Sequence, residues 1–194
     1  MEVIPLGSTC SIAYQLRLLG LRNYAYPFDW VRINNLSLVT KLLETDFNNF
    51  LEINNYNLKK ISNDFDVNGK MISYIYENKF CTFFHEFEKS ITNEIFDIFA
   101  LKYKRRIDRL MNSIKYKKRL LFVREEIGNL SRNKINNFLN LIKKINPKLI
   151  FKLKIIVNNK KYISYNSNEV EIIYSDMKVD DWRRPELDWN NIFN

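Results

Sequence analysis

The stretch Val3-Ile4-Pro5-Leu6-Gly7-Ser8-Thr9-Cys10, continued by Ser11 to Leu19 and closed by Gly20-Leu21, decides how the chain begins to fold. Val3 to Leu6 has strand composition, and Pro5, which lacks an N–H, suits the end or the edge of a sheet. Gly7 permits a tight turn, and Ser8 or Thr9 carries a side-chain oxygen able to cap a helix. Ile12, Ala13, Leu16 and Leu19 then recur at helical spacing up to Gly20, where a left-handed residue closes a helix and Leu21 packs back on it. The reading is strand, turn, helix, with Cys10 at the N-terminus of the first helix. Unpaired amides and the positive end of the helix dipole favour a thiolate there and offer donors to an oxyanion, which suits a nucleophile. The alternative is a small thiol that only packs.

Working outward, Asn35 begins a helix to about Glu44, Asp46 begins a short one through Leu51, and residues 54–66 read as a polar loop or insertion. Asn68-Gly69 marks a turn between that loop and the strand-like runs Met71 to Tyr76 and Phe80 to His85. Thr92 caps a long helix to about Ile114, with Ile95, Phe96, Phe99, Tyr103, Ile107, Leu110 and Met111 as its apolar stripe. A strand over Arg119 to Arg124, a helix from Ser131 to about Ile145 ended by Asn146-Pro147, and strands over Leu149 to Val157 and Val170 to Tyr174 complete the order. Strands alternating with helices predict an α/β layered fold, a central, mostly parallel or mixed sheet flanked by helices, with residues 1–194 as a single domain.

Composition narrows the classes. With 46% hydrophobic and 14% aromatic residues in 194, the chain has material for a full core. Two cysteines, Cys10 and Cys81, do not make a disulfide framework, and with the one histidine, His85, they lack the CxxC or HxxxH spacing of a metal site. No metal or cofactor is expected, and Cys81 reads as core filling. Without a leader pattern or an apolar run of about 20 residues, the expected location is the cytoplasm, with no membrane span. The net charge of +9 points either to compositional drift in an Asn-, Ile- and Lys-rich chain or to attraction to nucleic acid or an anionic membrane. Lys102, Lys104, Arg105, Arg106 and Arg109 on the long helix read as a solvated face, so nucleic acid is not the expected partner.

In parallel sheets, ligands gather beyond the carboxyl ends of the strands. Ser8 and Cys10, His85, and Arg124 to Glu126 all fall at such ends, so Cys10 and His85 can meet. Imidazole beside a thiol is the usual arrangement for a thiol nucleophile, and Glu125, Glu126 or Asp29 is available to orient the ring. Arg17 shares a helical stripe with Cys10; it either binds a substrate anion or pairs with a carboxylate such as Asp29. Clamping of a phosphate by Arg17 and Arg124 ranks lowest, because the six residues between Cys10 and Arg17 exceed the five of a phosphate-cradling cysteine loop.

The stretch Leu6 to Arg17, with Gly20-Leu21-Arg22 and Tyr26-Pro27-Phe28-Asp29-Trp30, resembles the papain-like cysteine peptidase family known chiefly as a domain of unknown function. Phe84-His85-Glu86-Phe87 is similar to that family's His-Asp-Phe element, and Leu121-Phe122-Val123-Arg124 to its Phe-Val-Arg strand. The resemblance implies a thiol hydrolase of peptidase, isopeptidase or acyl-transfer type. Cys10 would be the nucleophile and His85 the general base and acid, with a peptide, isopeptide or thioester substrate. Thr9 stands where the family has Asn, which leaves the oxyanion donors open among Ser8, Thr9 and the backbone, and Glu86 stands where the family has Asp. The competing reading is a non-catalytic basic module that binds nucleic acid or an acidic protein.

Overall fold

The computed structural model describes residues 1–62, 65–66, 69–70, 73–157, 165–175 and 181–194. The chain forms β1 (Glu2–Pro5), α1 (Ser11–Leu18), β2 (Val31–Arg32), α2 (Leu36–Glu44), β3 (Asn57–Ser62), β4 (Phe65–Asp66), β5 (Gly69–Lys70), β6 (Ser73–Glu77) and β7 (Thr82–Phe83). It continues with α3 (Asn93–Tyr116), β8 (Arg119–Glu126), α4 (Arg132–Ile145), β9 (Ile150–Val157), β10 (Val170–Tyr174) and α5 (Trp189–Phe193). The fold is mixed α/β, built on a four-stranded sheet in the order β1-β8-β9-β10 in which every pairing is parallel. Pro5 ends the edge strand β1, where its missing N–H breaks no ladder.

β8 occupies an interior position, and seven of its eight residues are buried, as a strand covered on both faces requires. Alternation along it decides everything that follows. Leu120 and Phe122 enter the large core with α2, α3 and α4, whereas Leu121 and Val123 enter a smaller one with Ile12 and Leu16 of α1 and Trp189, Ile192 and Phe193 of α5. The same period of two sends Arg124 and Glu126 to the first face and Glu125 to the second.

A second sheet, antiparallel in the order β2-β7-β6-β3, closes the large core with an aromatic cluster. Phe83, Phe87, Phe99 and Tyr103 pack there with ring centroids 4.4 to 6.4 Å apart. The register Val31↔Phe83 and Arg32↔Thr82 heads the chain, as it leaves Phe83, toward Trp30 and Asp29.

Three local expectations change. Residues 45–51 form turns instead of a helix, with Asp46, Phe47 and Asn49 at positive φ, a conformation no helix contains. Asn57–Ser62, expected as loop, is strand β3, because pairing with β6 overrides its polar composition. The strand expected over Phe80 to His85 shrinks to β7, since the Asn78 carboxamide oxygen accepts from the amides of Phe80 and Cys81 and bends the chain before it. The turn at Asn68-Gly69 and the strand start at Met71 fall partly outside the described residues. Among the described residues no helix is long and apolar enough to cross a membrane.

Candidate active site around Cys10

Past β1 the chain keeps following β8: the Leu6 amide donates to Val123 O at 2.8 Å and the Ser8 amide to Glu125 O at 3.4 Å. Gly7 makes the turn at φ +73°, a conformation that L residues rarely adopt, and a Cβ added there would meet Ile33, Arg124 and Val31 O at 3.6 to 3.8 Å. Cys10, partly buried at φ −78° and ψ −8°, immediately precedes α1, and its carbonyl accepts the first intrahelical bond from Tyr14 at 3.0 Å. At its other end α1 closes as read from the sequence. Gly20, at φ +68°, donates to Arg17 O and Leu21 to Leu16 O, the bond pair of a Schellman motif.

Ser8 and Thr9 do not cap α1. The Ser8 hydroxyl bonds Glu125 O, while Thr9 and Ser11 donate to Glu125 Oε2 at 2.7 and 2.8 Å. Glu125 is thus the anchor of the turn that carries Cys10. Its other oxygen meets Arg184, which is fully buried and reaches Ser175 Oγ at 2.9 Å and Glu186 besides. The closing segment delivers Arg184 by lying over α1: Trp182 meets Tyr14 edge-on at 5.2 Å, Gln15 donates to Arg183 O, and the Trp189 indole N–H donates to Arg184 O.

On the opposite face Arg124 is consumed structurally. Its guanidinium donates to Leu6 O at 2.7 Å, to Ile33 O at 2.9 Å and to Glu126, whose carboxylate also accepts the Leu36 and Gly128 amides. Arg17 is exposed in the last turn of α1, and Asp29 takes Arg22 as its partner at 2.6 Å, together with the Tyr26 amide.

Three charged groups act on the Cys10 thiol: Arg32, Asp29 and Glu86. Burial pushes the thiol up to about 12; Arg32 opposes that rise, and Asp29 and Glu86 add to it. The thiol is therefore protonated at neutral pH, because desolvation outweighs the pull of Arg32. Arg32 is exposed, its guanidinium 5.1 Å from the Phe84 ring centroid. Burial raises the Asp29 carboxyl against the pull of Arg22, and its Oδ1 finds no hydrogen-bond partner among the described residues. Glu86 accepts from Lys102, from Tyr103 Oη at 3.0 Å and from Arg106 at 3.2 Å, which fastens the segment bearing His85 to α3. His85 itself is exposed beside Phe84, and among the described residues no hydrogen bond joins it to Cys10, Asp29 or Glu125. Its sequence neighbour Glu86 is nevertheless one of the charges acting on the thiol.

Sequence reasoning missed Arg184 and Arg32. Arg184, 59 positions beyond Glu125, had no periodic signal to mark it, whereas Arg32 lies two residues past the quoted Trp30 and was within reach. Cys81 is buried in the large core. No group of three or more His, Cys, Asp or Glu among the described residues is arranged to hold a metal ion.

The sequence model of one family, described as "Putative papain-like cysteine peptidase (DUF1796)", matches residues 1–161, a span that includes Cys10, His85 and Glu125 but not Arg184. An uncharacterized protein of Acanthamoeba polyphaga mimivirus is 33% identical over 212 residues, an alignment covering 97% of this chain and 95% of the relative. No solved structure matches the chain. With the match running from the first strand through β9, the chain belongs to that family.

Proposed function

We propose that the protein is a thiol hydrolase or acyltransferase acting on an amide, isopeptide or thioester bond, with Cys10 as nucleophile and His85 as general base and acid. The observation that carries the reading is the placement of Cys10. It is partly exposed on a turn between a parallel strand and a helix, held by the Glu125 anchor, with Arg32, Asp29 and Glu86, the neighbour of His85 in sequence, acting on its thiol.

A thiol pushed up to about 12 is not a resting thiolate, so His85 removes its proton as Sγ attacks the acyl carbon. The amides opening α1, which have no intrahelical acceptors, take the oxyanion in place of the engaged Ser8 and Thr9 hydroxyls. Collapse breaks the bond to the leaving amine or thiol, which receives the proton from His85. Water, or an acceptor nucleophile in acyl transfer, then attacks the Cys10 acyl carbon with His85 again as base and restores the thiol. Of the three carboxylates weighed for orienting the ring, Asp29 is favoured, since one of its oxygens has no hydrogen-bond partner among the described residues whereas both oxygens of Glu125 and of Glu126 accept bonds.

The basic-module reading draws less support. On α3, Lys102 and Arg106 bind Glu86, Lys104 binds Asp108 and Arg109 donates to Ala25 O, so most of the helix's cations already have internal partners. The test is pre-steady-state hydrolysis of a p-nitrophenyl ester. A stoichiometric burst, absent in Cys10→Ala, strongly reduced in His85→Ala and intact in Cys81→Ala, is the expected result; a burst that survives Cys10→Ala overturns the proposal.

A further inference from the structure

Around the Cys10 thiol the ionic pairing is uneven. Asp29 is paired with Arg22, and Glu86 with Lys102 and Arg106. Arg32 has no ion-pair partner among the described residues, although it acts on the same thiol. Its backbone is held in place. Val31 and Arg32 pair with β7, the guanidinium lies over the Phe84 ring, and Gly7 of the Cys10 turn abuts Val31 O and Ile33 on either side of it. An arginine held over an aromatic face keeps its fork of N–H donors open to solvent, and that fork matches a carboxylate in a bidentate manner.

We infer that Arg32 sets the specificity of the Cys10 site, selecting acyl substrates that carry a carboxylate close to the bond under attack. The inference rests on the thiol-hydrolase reading for the acyl chemistry, and on the charge asymmetry for the choice of substrate. Attraction between Arg32 and an anionic reagent approaching Sγ, partly screened by solvent, amounts to about three- to tenfold in rate at low salt.

Two measurements separate the inference from the reading beneath it. The first compares alkylation of Cys10 by iodoacetate and by iodoacetamide at low salt and alkaline pH, quantified by peptide mass spectrometry, with glutathione as the reference thiol. Both reagents attack the same thiolate, so their rate ratio is independent of the thiol's ionisation. The native ratio should exceed that of glutathione by about three- to tenfold, fall to the glutathione value in Arg32→Gln and persist in part in Arg32→Lys. A ratio unchanged by Arg32→Gln overturns the inference. The second compares acylation by p-nitrophenyl hydrogen glutarate and p-nitrophenyl butyrate. Preference for the glutarate that vanishes in Arg32→Gln supports the inference, and acylation without that preference overturns the Arg32 assignment alone. No acylation by either ester overturns the hydrolase reading, and the inferred acyl specificity falls with it. Arg32 is exposed, so its replacement leaves the core intact.

Discussion

Replacing Arg184 by Met tests whether the Glu125–Arg184 pair holds the turn that carries Cys10. The two side chains are 2% and 0% exposed, and the guanidinium also meets Ser175 and Glu186. Removing it takes the guanidinium from a buried carboxylate whose Oε2 accepts from the neutral Thr9 and Ser11 hydroxyls. Breaking such a pair from one side costs about 3–5 kcal/mol, a large share of the roughly 5–15 kcal/mol that a domain has in total. For a chain of this size the melting temperature falls by about 6–20 °C. Urea titrations of the native protein, Arg184→Met, Glu125→Gln and the double variant close the cycle. The double variant should be more stable than the sum of the single losses by at least about 2 kcal/mol, because it removes the stranded charge together with its partner. An Arg184→Met loss below about 1 kcal/mol, or strict additivity, refutes the reasoning.

Further outcomes follow from the same geometry. In His85→Gln, iodoacetamide labelling of Cys10 should rise about tenfold per pH unit between roughly pH 7 and 10, since burial pushes the thiol up to about 12; a plateau near 8.5 contradicts this. The unfolded thiol ionises first, so the native protein should lose stability relative to Cys10→Ser as pH climbs above about 8.5, measured by urea titration at several pH values. Gly7→Ala should cost about 1–2 kcal/mol from its positive φ alone, since the nearest contacts of an added Cβ are 3.6 to 3.8 Å; an unchanged urea midpoint rules this out. Phe83→Ala, at a fully buried ring in the aromatic cluster, should cost about 3–5 kcal/mol by the same titration.

What the sequence made legible was local. The Gly20 closure of α1, the Thr92 and Ser131 caps of α3 and α4, and the buried run of β8 each rest on neighbouring residues, and each appears where it was read. Cys10 was legible as a residue between a strand and a helix for the same reason. The ionisation of its thiol was not, because the desolvation that raises it comes from the packed fold and not from the residues beside it. Nor were the partners of the carboxylates. Asp29 finds Arg22 rather than Arg17 because α1 ends before Arg22 and the chain doubles back, and Glu125 finds Arg184 only after β10 and the closing segment have returned over α1. Strand β3 escaped because its pairing with β6, not its composition, makes it a strand.

The central claim is that His85 serves Cys10 as a base, and the pH dependence of acylation at Cys10 tests it most directly. Single-turnover rates with a p-nitrophenyl ester, measured for the native protein and His85→Gln, should differ in form. The variant rate should climb with hydroxide as a thiol pushed up to about 12 ionises unaided, and the native rate should exceed it most at neutral pH, where the thiol needs a base to lose its proton. Superimposable profiles would contradict the account.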